Sequence, residues 1–133
     1  LEISNSKIIN IPGNEDVRGA LSFVQKDILP FDVKRVYYIY NIPENVTRGG
    51  HAHIEQNEFL IALKGSFNVE ICDVHGNKKL FTLNKPNEGL LIPKMIWREL
   101  TNFKADSICL VLASNIYIEE DYIRDYDGFM NFK

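Results

Sequence analysis

Two imidazoles lie two residues apart in the stretch Arg48-Gly49-Gly50-His51-Ala52-His53, and a carboxylate, Glu58, follows four intervening residues later. In an extended chain, residues i and i+2 point to the same face. If this stretch is a strand, His51 and His53 enter one cavity. Two chemistries suit such a pair. With Glu58 they make a 2-His-1-carboxylate set of the kind that holds non-haem iron. Alternatively, a histidine titrates near neutrality and serves as both base and acid in proton transfer. The third histidine, His75, falls in His75-Gly76-Asn77, a hairpin-loop signal, and reads as a solvated residue.

Four other residues are candidates, each with a plain alternative. Tyr37 is either core or a hydroxyl donor to an oxyanion. Arg18 either pairs with Asp16 or, like Arg48, holds phosphate or carbonyl oxygens, for which the guanidinium fork is well matched. Arg48 is otherwise a solvated strand-edge charge. Trp97 is either core or a wall against which a ring stacks. Glu58 either ligates a metal, fixes the tautomer of one of the histidines, or is passive; the tautomer role is preferred.

The elements that must position these groups are mostly short strands. Ile8–Ile11 is closed by Pro12-Gly13 and reads as an edge or exchanged strand. After a turn over Asp16–Gly19, Ala20–Gln25 is a second strand. Lys34–Tyr40 is dense in β-branched and aromatic residues. Its alternation sets Arg35, Tyr37 and Ile39 on one face and Val36, Tyr38 and Tyr40 on the other. Further strands are expected over residues 47–53, Asn57–Lys64, Phe67–Cys72, Lys79–Leu83, Leu90–Ile92, Met95–Leu100 and Ser107–Ala113. The tail, residues 119–126, loses the alternation. It opens with acidic residues suited to a helix N-terminus and reads as a short helix or turn-rich arm. About ten short strands with turns between them predict an antiparallel sandwich or barrel.

The bulk numbers narrow the function. A chain of 133 residues, 45% hydrophobic, fits one domain over 1–133. The net charge of −3 and the lack of a basic cluster argue against nucleic acid or an anionic membrane as partner. No apolar run is long enough for a membrane span, and no signal-peptide pattern opens the sequence. Cys72 and Cys109 each lie within apolar strand-like runs and read as buried thiols in a reducing compartment. The expected location is cytoplasmic.

The spacing His51-x-His53-x4-Glu58-x6-Gly65 resembles the first motif of the cupins, which are jelly rolls (double-stranded β-helices) of two antiparallel sheets. In metal-binding cupins a second motif adds a histidine; the corresponding place here carries Trp97 or Arg98. The string Arg48–His53 further resembles the Arg-Gly-x-His-Ala-His core of the sugar-nucleotide 3,4-ketoisomerases, metal-free cupins acting on dTDP-4-keto-6-deoxy-D-glucose. Asp16-Val17-Arg18-Gly19-Ala20-Leu21, Gly89–Pro93 with Trp97, Leu112-Ala113-Ser114 with Tyr117, and Asp121–Tyr126 are similar to other segments of that family. Two positions depart from it: Glu58 stands where Gln is usual, and Ile54 where Lys or Arg is frequent.

The resemblance implies an isomerase without cofactor or metal that makes a dTDP-3-keto-6-deoxyhexose through an enediol. The product feeds the synthesis of 3-amino-3,6-dideoxy sugars for surface polysaccharides such as O-antigen lipopolysaccharide. It implies a homodimer with N-terminal strands open to exchange. On this reading His51, His53 and Tyr37 are catalytic, with His51 the base at C3, and Arg18, Arg48, Glu58 and Trp97 bind substrate. The Asp121–Tyr126 run is read as structural. The rivals are a metal-dependent cupin, favoured by Glu58, a dTDP-sugar 3,5-epimerase, and a non-catalytic sugar-binding cupin.

Overall fold

The computed structural model of the chain describes residues 3–132. Twelve strands and one short helix follow a turn of 3-10 helix at Ile3–Asn5. The strands are β1 (Lys7–Asn10), β2 (Gly13–Asp16), β3 (Gly19–Ser22), β4 (Arg35–Ile39), β5 (Arg48–His53) and β6 (Glu58–Lys64). After them come β7 (Phe67–Cys72), β8 (Lys78–Leu83), β9 (Glu88–Ile92), β10 (Trp97–Thr101), β11 (Ile108–Ala113) and β12 (Tyr122–Ile123), and the chain ends in α1 (Tyr126–Met130). One five-stranded antiparallel sheet has the order β1-β9-β6-β11-β4, and a second has β12-β5-β10-β7-β8. This is the all-β jelly roll of the cupin type. Strands β2 and β3 form a separate two-stranded hairpin, exposed along its whole length.

Period-2 alternation divides every long strand between an inner and an outer face. Leu60 and Ala62 of β6, Val69 and Ile71 of β7, and Cys109 and Val111 of β11 face one core between the sheets. Phe59 and Ile61 of β6, with Leu91 and Leu112, face a second cluster on the outside of the first sheet. Each Val, Leu, Ile or Phe side chain so buried contributes about 1.5–3 kcal/mol. The apolar plug fills one end of the barrel, and the other end is left to polar groups. Both cysteines are buried and free. Among the described residues no helix is long and apolar enough to cross a membrane.

The strand expected at Ala20–Gln25 is shorter and pairs with β2, whose sequence Gly-Asn-Glu-Asp carries no apolar residue and so no alternation to read. The strand expected from Met95 starts at Trp97, because Met95 sits in a turn at φ +61°. There its backbone N–H donates to the carbonyl of His53 at 2.7 Å and anchors the end of β5. The tail divides into a 3-10 turn at Glu119–Asp121, the two-residue β12, and α1.

Candidate active site

Four strands meet at the open end of the barrel, and their inward positions carry the reactive groups. Strand β4 supplies Arg35 and Tyr37, β5 supplies His51 and His53, β6 supplies Glu58, and β10 supplies Arg98. The register of β10 on β5 shifts by one residue between Arg98 and Glu99, opposite the glycine pair of β5. Gly49 and Gly50 take φ of +83° and +70°, which L side chains rarely adopt. A Cβ on Gly49 would meet the Arg98 carbonyl at 2.9 Å. This bulge bends the strand, so that Arg48 as well as His51 lines the cavity.

The cavity holds about 500 Å³. Tyr37, Arg48, His51, Glu58 and Arg98 line it, together with Arg35, Tyr117, Tyr122 and Arg124. Arg124 lies over the Tyr122 ring at 4.2 Å and is bonded to Glu119 at 2.8 Å. Arg35 lies over the Tyr37 ring at 4.9 Å. Four guanidinium groups line the cavity, and with Arg98 paired to Glu58 and Arg124 to Glu119 the excess from Arg35 and Arg48 leaves it positive in a protein whose net charge is −3. An anionic ligand suits such a cavity.

Glu58 is the hub of the buried hydrogen bonds. It accepts from the Tyr37 hydroxyl at 2.8 Å, from the Gln56 amide at 2.7 Å, and from Arg98 Nη1. Arg98 is buried too, and its Nη2 donates to the Ile96 carbonyl at 3.0 Å. Breaking a buried pair of this kind by removing one partner costs about 3–5 kcal/mol. Burial, and then the neighbouring Glu58 carboxylate, hold the Tyr37 phenol well above its ordinary range, so it is a proton donor and not a base.

The two histidines differ in station. His51 lines the cavity, its Nε2 has no hydrogen-bond partner, and it bonds to the Gly49 backbone. Burial, and then the Arg98 charge, push it down to about 3, so it is a neutral imidazole with a free lone pair at pH 7. His53 is fully buried and does not line the cavity, although the reading above placed both rings there. Its ring packs edge-on to His51 at 4.9 Å and against Tyr122 at 4.4 Å. Nδ1 lies 3.2 Å from Asp121 Oδ2, which fixes the proton on Nδ1. Nε2 then faces Glu58 Oε2 at 3.5 Å with no proton between them. Burial and the Arg98 charge hold His53 down at about 2, so this contact is not an ion pair.

Two expected binding residues lie elsewhere. Trp97 belongs to the outer face of β10, since Arg98 takes the inner one. It packs with Ala52, Cys72 and Phe129, and its Nε1 donates to Glu99 at 3.2 Å. Trp97 is therefore core and does not wall the cavity. Arg18 stands at the tip of the exposed β2–β3 hairpin, bonded to Asp16 at 2.8 Å, and does not reach the cavity of its own chain. The structure adds groups the sequence reading did not assign: Arg98, Arg35, Arg124, Tyr122 and Asp121. Arg35 and Arg124 supply the positive charge that Ile54 lacks. Asp121 was grouped with a structural tail, yet β12 pairs with β5, Tyr122 opposite His53.

The fold also raises a metal. His51, His53 and Glu58 bring ligand atoms within 4.8 Å of one another. The set does not fit a divalent cation as it stands, because the Arg98 guanidinium already occupies Glu58 and places a positive charge inside the cluster.

Comparison with known proteins agrees with this geometry. Residues 4–133 match the model of the FdtA family, described as WxcM-like, C-terminal. A TDP-4-oxo-6-deoxy-alpha-D-glucose-3,4-oxoisomerase from Aneurinibacillus thermoaerophilus is 38% identical over 128 residues, covering 96% of this chain and 91% of the relative. The crystal structure of a 3,4-ketoisomerase from Helicobacter canadensis superposes with a TM-score of 0.90 at 42% identity, covering 95% of each chain. QdtA, a sugar 3,4-ketoisomerase from Thermoanaerobacterium thermosaccharolyticum solved with TDP, gives 0.93 at 37% identity, covering 98% of this chain and 95% of that one. A variant of that enzyme was solved with TDP-4-keto-6-deoxyglucose. A dTDP-4-dehydrorhamnose 3,5-epimerase from Bacillus anthracis shares the fold, with a TM-score of 0.81, at 14% identity over 92% of this chain and 79% of its own. With its whole described barrel and nearly all of its sequence matched, the chain belongs to the FdtA family, whose solved relatives here are sugar 3,4-ketoisomerases.

Proposed function

We propose that this chain is a sugar-nucleotide 3,4-ketoisomerase, which moves the ketone of dTDP-4-keto-6-deoxy-D-glucose from C4 to C3 through an enediol. The observation that carries the reading is one neutral imidazole, His51, that lines an arginine-rich cavity, spends its Nε2 on no hydrogen bond and has a protonated Tyr37 in the same cavity. The C4 carbonyl acidifies the C3 proton. His51 Nε2 takes that proton, and the electron pair forms the C3–C4 double bond of an enediolate with its charge on O4. The Arg98 guanidinium, and the Tyr37 hydroxyl once it turns its single proton from Glu58 to O4, stabilise this developing oxyanion. A proton then arrives at C4 while the hydroxyl proton on O3 passes to O4, leaving the ketone at C3. His51, now an imidazolium, is the donor within the cavity. His53 acts from behind by packing edge-on against the His51 ring. Arg48, with Arg35 and Arg124, holds the pyrophosphate.

Incubating the protein with dTDP-4-keto-6-deoxyglucose in D2O tests this by NMR. The expected product has its ketone at C3, with deuterium at C4 in the fraction of turnovers in which the His51 imidazolium exchanges its proton with solvent. Deuterium at C5 instead would establish an epimerase, and saturable binding with neither exchange nor product a sensor.

The working unit is a homodimer on this reading. The outer face of the first sheet exposes Val36, Tyr38, Tyr40 and Leu63, and the hairpin exposes Leu21 and Phe23. Exposed apolar surface of this extent marks an interface. A second copy covers it, with the β2–β3 hairpin reaching across so that Arg18 enters the partner's cavity. Light scattering should give about twice the chain mass of 15.3 kDa. Arg18→Ala should cut kcat/KM about tenfold, the loss of one charge-assisted hydrogen bond. A dimer with unchanged kcat/KM in that variant would remove Arg18 from the site.

A further inference from the structure

We propose that the Arg98 guanidinium is the resident cation of a His51–His53–Glu58 ligand set, closing the barrel to divalent transition metals that the same three residues would otherwise bind. The donors come from the inner faces of adjacent elements, β5 and the start of β6, and their ligand atoms already lie within 4.8 Å of one another. Neither imidazole spends its Nε2 on a hydrogen bond. His53 is fully buried, so its free nitrogen is not satisfied by solvent either. A buried nitrogen without a partner is the exception in a folded protein, and here two of them converge on one carboxylate.

What separates this cluster from a metal centre is one side chain. Arg98 Nη1 donates to Glu58 Oε1, and Nη2 is tied to the Ile96 carbonyl, so the guanidinium is fixed beside the carboxylate. Like charges at such separations in a buried site repel strongly, and a cation entering between the histidines would meet Arg98 directly. Metal–nitrogen and metal–oxygen bonds of about 2.0–2.2 Å would draw the three donors to within about 3.5 Å of one another. Glu58 Oε2 and His53 Nε2 already stand 3.5 Å apart, so His51 is the donor that must close in, and the shared cation would then sit against the guanidinium that Arg98 keeps on Glu58. Gln56 and Tyr37 hold Oε2 as neutral donors and add no charge. The inference concerns the ligand set alone and stands whether or not the isomerase reading does.

Cobalt(II) is the probe, because its visible d–d absorption reports inner-sphere coordination. Arg98→Leu removes the cation and keeps an apolar stem. It should bind one cobalt ion at least 100-fold more tightly than the wild-type chain, with a d–d band and a raised Tm on saturation. The double variant Arg98→Leu/Glu58→Gln should lose both signals. If Arg98→Leu is unfolded without metal, because Glu58 is left buried and unpaired, cobalt should restore its near-ultraviolet circular dichroism. Two results overturn the proposal. One is a metal-saturated Arg98→Leu that shows neither band nor stabilisation nor refolding. The other is a wild-type chain that binds cobalt as tightly as Arg98→Leu does, through His51.

Discussion

Replacing His51 by Asn should lower turnover by about 10³-fold, the contribution expected of a positioned general base, while the fold and KM stay near the wild-type values. Asn occupies similar space and keeps a polar group toward Gly49, so the bulge in β5 has no reason to collapse. On the proposed reading the pyrophosphate is held by arginines on other parts of the wall, so binding should survive the loss of the base. The measurement is kcat and KM on dTDP-4-keto-6-deoxyglucose beside a thermal melt. Activity within tenfold of wild type in a folded His51→Asn chain would take the base role from this residue. The pH dependence follows from the same geometry. His51 is held down at about 3 in the free protein, first by burial and then by Arg98. The unprotonated, competent form therefore persists well below the usual histidine range. The acid limb of kcat/KM, which reports the free enzyme, should lie below about pH 5. The bound pyrophosphate brings negative charge to the cavity, which favours the imidazolium, so the limb of kcat should lie at higher pH than that of kcat/KM.

Much of this site was legible from alternation, and the parts that were not share a cause. The inward set Arg35, Tyr37 and Ile39 followed from period 2 on β4, and the same rule put His51 and His53 on one face. Rank along that face was not readable: two side chains on one face of a strand lie at different depths, and Tyr122 of the closing segment touches both rings while only His51 keeps the cavity. Strand β10 shows the limit more sharply. Hydrophobicity would turn Trp97 inward and Arg98 outward. The fold does the reverse, because Arg98 meets Glu58, forty positions away in sequence, across the barrel. A buried charge is tolerable only with such a partner, and a partner brought by a different strand leaves no local trace. Trp97 in turn finds a covered outer face because α1 lays Phe129 on it. Arg35, although on the Tyr37 face, and Arg124 carry no local mark of a binding role for the same reason. Each is an ordinary charge in its own segment, and only the convergence of β4 and the tail makes them the walls of an anion site. Glu58 is the instructive middle case. Its spacing from the histidines is that of a metal ligand, and only the burial of Arg98 beside it gives it another task.

Removing the Asp121 carboxylate should have the second-largest effect, and it separates support from chemistry. Asp121 Oδ1 accepts from the Glu55 backbone N–H at 2.7 Å, and Oδ2 accepts from the Gln56 N–H and from His53 Nδ1, both at 3.2 Å. Its own carbonyl accepts from the Ile54 N–H at 2.9 Å. One residue thus ties down the loop between β5 and β6 and sets the His53 tautomer. Asp121→Ala leaves two backbone donors and an imidazole N–H without an acceptor. Hydrogen bonds to a charged group are worth about 1.5–3 kcal/mol each, and with partial rescue by water the loss is about 3 kcal/mol, or roughly 10 °C in Tm for a chain of this size. Turnover should fall about 10- to 100-fold, the usual cost of losing a residue that orients another. Asp121→Asn distinguishes the two roles. Its amide oxygen, in the place of Oδ1, still accepts from the Glu55 N–H while the Gln56 N–H loses its acceptor, so about half of the Tm loss returns. Its NH2 faces His53 Nδ1, however, and drives the ring proton to Nε2, where it binds Glu58 Oε2 and draws that carboxylate away from Tyr37. The Asn variant should therefore regain that part of the stability but keep the kcat defect, with KM near wild type. Full recovery of kcat together with that part of the Tm would show that Asp121 holds only the loop, and that the tautomer of His53 is of no consequence to the proton transfer at His51.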